Sequence, residues 1–134
     1  MPKIVLAGQD VRLLETRAEV LKKTGAEVFY CVGSQALNVV ASEMPDLLVL
    51  CHSLHHEEAE AIAERVHAVC SKTKVLLVVS QMFEEKRYHD ANFDAASLPE
   101  PERLIKRSTE LLAGLPYHPL AEIAHDRQGR AAVE

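Results

Sequence analysis

Residues 45–54, PDLLVLCHSL, run apolar from Leu47 to Leu50 and then change to Cys51 and His52. Apolar residues without alternation are typical of a strand that is buried on both faces, as in a parallel sheet. In open parallel sheets, ligands and chemistry gather at the carboxyl ends of the strands. The stretch therefore predicts a central strand whose end, at Cys51 and His52, is a candidate functional position.

Strand-like and helix-like segments alternate on both sides of this stretch. The predicted strands are residues 3–8, 26–33, 46–51, 74–81 and 93–98, and the last of them has poor strand propensity. Apolar residues at helical spacing predict helices within residues 10–25, 34–45, 55–73, 84–92 and 99–114. Strands and helices that alternate with short connections indicate parallel βαβ units, and hence an α/β sandwich around a five-stranded parallel sheet.

Helix ends and inward faces are also readable. Asp10 is a predicted N-cap, and Gly25 is a predicted C-terminal stop for the first helix. The apolar spacing predicts that Val11 and Val69 face inward with the other apolar residues of their helices. Residues 1–114 form the predicted domain, and the proline-containing, polar residues 115–134 form a predicted tail with one short helix around 120–125.

The bulk properties exclude several classes of function. The chain has 134 residues, which suits one domain, and its formal net charge of -5 argues against a nucleic-acid partner. No apolar run is long enough for a membrane span, and the first residues do not have the pattern of a signal peptide. Three cysteines without paired spacing suit a reducing compartment, so we expect a cytoplasmic protein that contacts neither membrane nor nucleic acid.

Four local stretches carry a family resemblance in addition to this order of elements. They are PKIVLAGQD at 2–10, PDLLVLC at 45–51, KVLLVVS at 74–80 and LPEPERL at 98–104. Over residues 2–114 the chain resembles the receiver domain of two-component response regulators. The resemblance implies a flavodoxin-like, three-layer α/β sandwich with strand order 2-1-3-4-5 and five helices. It also implies a cis peptide bond between Leu98 and Pro99.

The resemblance implies an acidic pair for Mg²⁺ at the end of the first strand and a phosphoacceptor aspartate at the end of the third. This sequence has Gly8 and Gln9 at the first place and Cys51 at the second. Magnesium is a hard ion that requires carboxylate oxygens, which neither glycine nor a neutral amide supplies. We therefore expect that this chain does not accept a phosphoryl group by the mechanism of the family.

Three further positions of the family pattern lie on the last two strands. Leu98 stands where the family has a lysine, and Ala95 stands where it has an aromatic switch residue. Ser80 keeps the hydroxyl that the family has at the end of the fourth strand. Because metal, nucleophile and cation act together on one phosphoryl group, the retained hydroxyl alone does not restore the chemistry.

Three interpretations of Cys51 remain open. It is a small apolar filler of the former pocket, since free cysteine is among the most buried residue types. Alternatively it binds a transition metal with His52, His55 and His56, which have suitable donor atoms but no diagnostic spacing. The third interpretation is a redox-active thiol, whose pKa a nearby helix amino terminus would lower.

The expected function is a binding module without enzymatic activity or cofactor. It would act by contact with a protein of a signalling pathway or with a second copy of itself. In the resembled family the output runs through the last two helices and the last strand, where Arg87, Tyr88 and Arg103 lie. The alternative is a sensor of a ligand, a transition metal or redox state that uses the strand-end pocket around Cys51.

Overall fold

Five parallel strands form one sheet in the computed structural model, which describes residues 1–80 and 93–115 without the side chain of His56. The strands are β1 (Lys3–Gly8), β2 (Glu27–Val32), β3 (Leu47–Leu50), β4 (Lys74–Val78) and β5 (Ala95–Ser97). They lie in the order β2-β1-β3-β4-β5, and every neighbouring pair is parallel. The predicted flavodoxin-like order is confirmed.

Helices cover both faces of this sheet. They are α1 (Val11–Leu21), α2 (Ala36–Glu43), α3 (His56–Val69) and α4 (Pro101–Leu112). α1 and α4 contribute to one buried apolar cluster, whereas α2 and α3 contribute to the cluster on the opposite face. The predicted helix at 84–92 lies outside the described residues, as does the predicted tail at 115–134, with its short helix, beyond Leu115. No helix in residues 1–80 and 93–115 is long and apolar enough to cross a bilayer.

Both predicted ends of the first helical segment are confirmed. The Asp10 carboxylate accepts hydrogen bonds from the backbone N–H groups of Arg12 and Leu13, at 3.1 and 3.3 Å. Such a bond satisfies amide donors that have no partner inside the first turn. A 3-10 turn at Lys22–Thr24 extends α1, and Gly25 ends it with a φ of 86°. These contacts fix where β1 ends and α1 begins, which is the first corner of the candidate site.

Side chains at the helix ends correct part of the predicted core. Val11 is 49% exposed and Val69 is 63% exposed, although the spacing predicted that both face inward. Each is the terminal residue of its helix, α1 or α3, where the helix extends beyond the part of the sheet that it covers.

The peptide bond between Leu98 and Pro99 is trans, because no described peptide bond is cis, so the implied cis bond is wrong.

The amino-terminal ends of the strands are held by two carboxylates. Asp94 Oδ2 accepts from the backbone N–H of Val75 at 2.7 Å and lies 2.8 Å from His67 Nε2. Asp46 Oδ2 accepts from the backbone N–H of Lys3 at 2.9 Å. Asp46 therefore lies at the edge of the sheet opposite to Cys51. It has a structural role there and does not reach the candidate site.

Met44 is expected to be a destabilising residue in the native chain. It follows α2 with a φ of 48°, in the left-handed region where a Cβ costs about 1 kcal/mol. Its side chain is exposed, so little packing is lost on removal. Met44→Gly should raise the free energy of unfolding by about 0.5–1 kcal/mol, as measured by urea denaturation. Met44→Ala is the matched control, since it keeps the Cβ, and it should give no such gain.

Candidate functional site

The carboxyl ends of four strands meet at one edge of the sheet. Gly8 ends β1, Cys51 directly follows β3, Leu98 directly follows β5, and Ser80 lies two residues beyond β4. The backbone N–H of Cys51 donates to the carbonyl of Ala7 at 2.9 Å, so the pairing of β1 with β3 extends to this edge. The structure thus brings together the strand ends that the sequence predicted.

Gly8 lies in a space where a side chain would crowd three neighbouring residues. A Cβ on Gly8 would be 2.9 Å from Ser53 Oγ, 3.1 Å from Cys51 Cβ and 3.1 Å from Leu14 Cδ2. At the first of these distances Ser53 Oγ would have to move, and at the other two the neighbouring atoms would have to give by a few tenths of an ångström in a packed interior. The place where the resembled family has a carboxylate is therefore crowded by neighbouring atoms.

Gln9 ties the loop after β1 to the loop after β3 and to α3. Its backbone N–H donates to Ser53 Oγ at 2.9 Å, and its side-chain Nε2 donates to Glu58 Oε1 at 2.9 Å. Glu58 lies in the first turn of α3, where the helix dipole favours an acid. Gln9 thus acts as a hydrogen-bonding bridge between elements that the chain brings together over more than forty residues.

Cys51 is a buried thiol on the α1 and α4 side of the sheet. It is 1% exposed and belongs to the apolar cluster that contains Leu14 and Leu104. Burial raises the pKa of the Cys51 thiol, whereas the charge of Arg17 and a hydrogen bond from it act in the opposite direction. The buried-filler interpretation therefore accounts for the position of the thiol but not for the cation beside it.

Arg17 is the residue of this site that the sequence reasoning missed. It lies on α1 and is 5% exposed, and its Nη2 is 3.2 Å from His52 Nδ1. A signal for it was present in the sequence. Leu14 and Ala18 define the inward stripe of α1, and position 17 falls between them on that face. Ser53 and Glu58 were also missed, since nothing local in the sequence marks their contacts with Gln9.

The predicted metal ligands are not gathered into a cluster in the described residues. Cys51 is buried, His52 is exposed beside Arg17, and His55 is exposed where α3 begins. Within residues 1–80 and 93–115, no group of three or more histidine, cysteine or acidic side chains is placed to hold a metal ion. The side chain of His56, the fourth predicted ligand, lies outside what the structure describes.

The three predicted positions on the last two strands have different surroundings. Leu98 is buried in the apolar cluster on the α2 and α3 side, and Ala95 is buried in the cluster on the other side. Ser80 is exposed. The position where the family has its lysine is therefore part of the hydrophobic core in this chain.

The predicted interaction surface is described only at one of its three residues. Arg103 lies on α4 and is half-buried. Arg87 and Tyr88 lie outside the described residues. The surface therefore remains a prediction.

Cys31 on β2 is the most accessible of the three thiols, and its pKa leads us to expect a free energy of unfolding that depends on pH. Burial raises its pKa from 9.0 to about 11. Between those values the unfolded chain has lost the thiol proton and the folded chain has kept it, so stability falls as the pH rises. Urea unfolding at pH 8 and pH 10.5 should show this loss. It should be smaller in Cys31→Ala, and an equal loss in both proteins would contradict the assignment.

Comparisons with known proteins find the fold and no closer relationship. No family model matches the sequence, and no curated protein matches it. Among solved structures, a CheY-like receiver domain from Methanospirillum hungatei is similar with a TM-score of 0.70 and 19% identity, over 85% of this chain and 95% of that one. A putative response regulator from Chloroflexus aurantiacus also has a TM-score of 0.70, at 20% identity over 84% and 98% of the two chains.

A third similar structure comes from a different class of protein. It is a putative pilus assembly-related protein from Burkholderia pseudomallei, with a TM-score of 0.67 and 21% identity over 87% of this chain and 93% of that one. Identities at this level establish the architecture and leave the chemistry to the residues of each chain. The fold of this chain is that of response regulator receiver domains.

Proposed function

We propose that this chain is a signalling module with the receiver fold that works without phosphorylation and acts by contact with another protein. The observation that carries the proposal is the enclosure of Gly8 by Ser53, Cys51 and Leu14. A Mg²⁺ site of the receiver type requires a carboxylate at the end of β1, and a side chain at this position would have to displace the surrounding atoms.

The hydrogen bonds of Gln9 support the same proposal. Gln9 donates to Ser53 and to Glu58, so the loops after β1 and β3 are joined to each other and to α3 by direct bonds. Each such bond stabilises the folded state by about 1 kcal/mol. These bonds hold the loops after β1 and β3 in one arrangement, which is what a module that binds without a switch requires.

The position of Leu98 supports the loss of the phosphoryl chemistry independently. Its side chain is buried among apolar residues, where a charged lysine would be costly. Ser80 is the only one of the five strand-end positions that keeps the group of the resembled family. A hydroxyl without a metal site and a phosphoacceptor aspartate gives no phosphoryl transfer by the mechanism of the family.

The proposed partner is a protein of a signalling pathway or a second copy of this chain. The net charge of -5 supports neither a nucleic-acid nor an anionic membrane partner. Arg103, with Arg87 and Tyr88, is the proposed contact surface. One structural neighbour is named for pilus assembly, and partners in such an assembly are one class to test. We place the protein in the cytoplasm and assign it no enzymatic activity and no cofactor.

A thermal shift experiment tests the central claim. Beryllofluoride with Mg²⁺ mimics an acyl phosphate, and a ligand that binds only the folded state raises the melting temperature. We expect no shift beyond that given by Mg²⁺ alone or by fluoride alone, while a phosphorylatable receiver in the same buffer shifts by several degrees. A saturable rise for this chain would overturn the proposal, because some carboxylate would have to replace the missing acids.

The nature of the contact is tested separately. Sedimentation velocity over a range of concentrations distinguishes a self-associating chain from a monomer that requires another partner. Arg103→Glu should weaken whichever contact is found, since it reverses the charge on the proposed surface. Arg12→Glu is the matched control, because Arg12 is an exposed arginine on α1, outside that surface.

A further inference from the structure

Arg17 is a buried cation whose described contacts include no carboxylate. Its Nη2 is 3.2 Å from Nδ1 of His52. Its Nη1 is buried and, within the described part of the chain, has no hydrogen-bond partner. Buried charges are ordinarily paired with an opposite charge, because leaving water costs several kcal/mol. The site therefore has an unused donor and an uncompensated positive charge.

The guanidinium of Arg17 lies beside the end of β3, since it contacts His52, the residue that follows Cys51. Cys51 also packs in the same apolar cluster as Leu14, which lies three residues before Arg17 on α1. The positive charge of Arg17 favours the anionic form of whatever group stands at position 51. The other buried cysteine, Cys70, has a different neighbour. Its sulfur accepts from Thr73 Oγ at 3.1 Å, so a hydroxyl takes the place of the guanidinium. The two thiols are buried to a similar degree, 1% and 3% exposed, and differ in the cation.

We propose that Cys51 is a site of modification by hydroperoxides, at which Arg17 holds the anionic sulfur oxyacid that forms. The Cys51 sulfur attacks one oxygen of hydrogen peroxide, an S–O bond forms and the O–O bond breaks. The sulfur loses two electrons to the peroxide, and the leaving hydroxide takes the thiol proton to become water. The sulfenic acid then gives its proton to solvent. A second peroxide takes the sulfur to the sulfinate by the same bond changes.

Arg17 acts on the product more than on the rate of the first step. Burial disfavours the thiolate, so Cys51 is expected to react more slowly than an exposed thiol of low pKa. Once an oxygen is on the sulfur, the Nη1 donor and the positive charge have the partner that they otherwise lack. A charge-assisted hydrogen bond of this kind is about twice as strong as a neutral one. The modified residue would place a negative charge at the strand end where receivers carry their phosphoryl group.

The experiment is oxidation of the Cys31→Ser chain by hydrogen peroxide, followed by mass mapping of the Cys51 and Cys70 peptides. Cys31 is replaced because it is the half-buried thiol and would react independently. We expect the sulfinate to accumulate on Cys51 about tenfold faster than on Cys70, because only at Cys51 does a cation keep the sulfenic acid in the anionic form that the second peroxide oxidises. Equal accumulation on the two residues would overturn the proposal.

Variants at Arg17 separate the role of the cation from that of burial. Arg17→Gln on the Cys31→Ser background should bring Cys51 to the rate of Cys70, while Arg17→Lys should keep most of the difference. Arg12→Gln, an exposed arginine of the same helix, should change nothing. If Arg17→Gln leaves the preference for Cys51 intact, the cation has no part in the modification and the proposal is wrong.

A thermal melt of the oxidised protein keeps the proposal falsifiable if Arg17→Gln fails to fold. With Arg17 present, the oxidised Cys31→Ser chain should melt within a few degrees of the reduced chain, since its buried anion is paired. Oxidation that unfolds the chain would show that the anion is not held. The result does not depend on the beryllofluoride experiment, because neither Mg²⁺ nor phosphate takes part.

Discussion

Gly8→Asp is expected to lower the free energy of unfolding by about 3 kcal/mol or more and to create no Mg²⁺ site. Inserting atoms into a packed interior costs about 1–3 kcal/mol, and a buried carboxylate without a partner adds to that cost. The crowding arises from Ser53 Oγ at 2.9 Å and from Cys51 Cβ and Leu14 Cδ2 at 3.1 Å. Restoring one acid of the receiver pattern should therefore damage the fold and leave the chemistry absent.

Urea denaturation measures the expected loss of stability, and Mg²⁺ titration tests whether a metal site has formed. Gly8→Ala isolates the steric part and should cost about 1–3 kcal/mol. Ser53→Ala removes the nearest crowding atom, so the cost of Gly8→Ala should be smaller in that background. Ser34→Asp, at an exposed position after β2, is the control for the added charge. A stable Gly8→Asp chain that binds Mg²⁺ would contradict the proposal that crowding at Gly8 excludes a metal site of the receiver type.

The strand segments could be predicted because their apolar runs are continuous. β1 and β3 are buried on both faces. A continuous apolar run that lies between turn residues has few interpretations other than a buried strand. β5 was the weakest prediction, since its Ala-Ala-Ser core has little strand propensity. Its pairing with β4 decides its conformation, and pairing partners are not visible in a local window. Apart from both ends of β1 and the start of β4, which match, the predicted ends exceed the observed strands by one to three residues for similar reasons.

The errors on the helices have a common physical origin. Helical spacing reports the direction of a side chain and not whether the neighbouring layer reaches that far along the helix. Val11 and Val69 have the right direction and lie at helix ends that nothing covers. The trans bond at Leu98 is a different case. The cis expectation came from the resemblance, and this chain lacks the lysine that precedes the proline in the family.

The sequence predicted which residues lie at the site, but it did not predict which of them contact one another. Parallel strands have their carboxyl ends on one edge, so Gly8, Cys51 and Leu98 had to be neighbours. The hydrogen bonds of Gln9 depend on side chains more than forty residues away, and no local pattern encodes such a distance. Arg17 was missed because a charged residue on a helix is ordinarily assigned to the solvated face.

The position of Arg17 changes the interpretation of the strand end. Receivers pair the acidic group after the third strand with a lysine after the fifth, and here the fifth strand is followed by the buried Leu98. Arg17 brings a positive charge beside position 51 from α1, where it contacts the adjacent His52. This chain thus has no acid at Gly8 and Gln9 and has a positive charge beside position 51 from another element.

An acid at position 51 is expected to depend on Arg17 for the stability of the whole domain. Cys51→Asp in the native background should cost little, since the carboxylate gains the guanidinium as a buried partner. Arg17→Met alone should also be close to neutral, because it removes a buried charge that has an unused donor. The double variant should lose about 3–5 kcal/mol, the cost of a buried carboxylate whose partner has been removed.

A double-mutant cycle by urea denaturation isolates this coupling from the two single changes. The matched control is Cys51→Asn with Arg17→Met, in which the side chain has the shape of aspartate and no charge, and which should show little loss. Because the unpaired carboxylate regains neutrality on protonation, the deficit of the double variant should shrink as the pH falls. A coupling energy below about 1 kcal/mol would mean that Arg17 does not act on position 51, and the proposed modification of Cys51 would lose its physical basis.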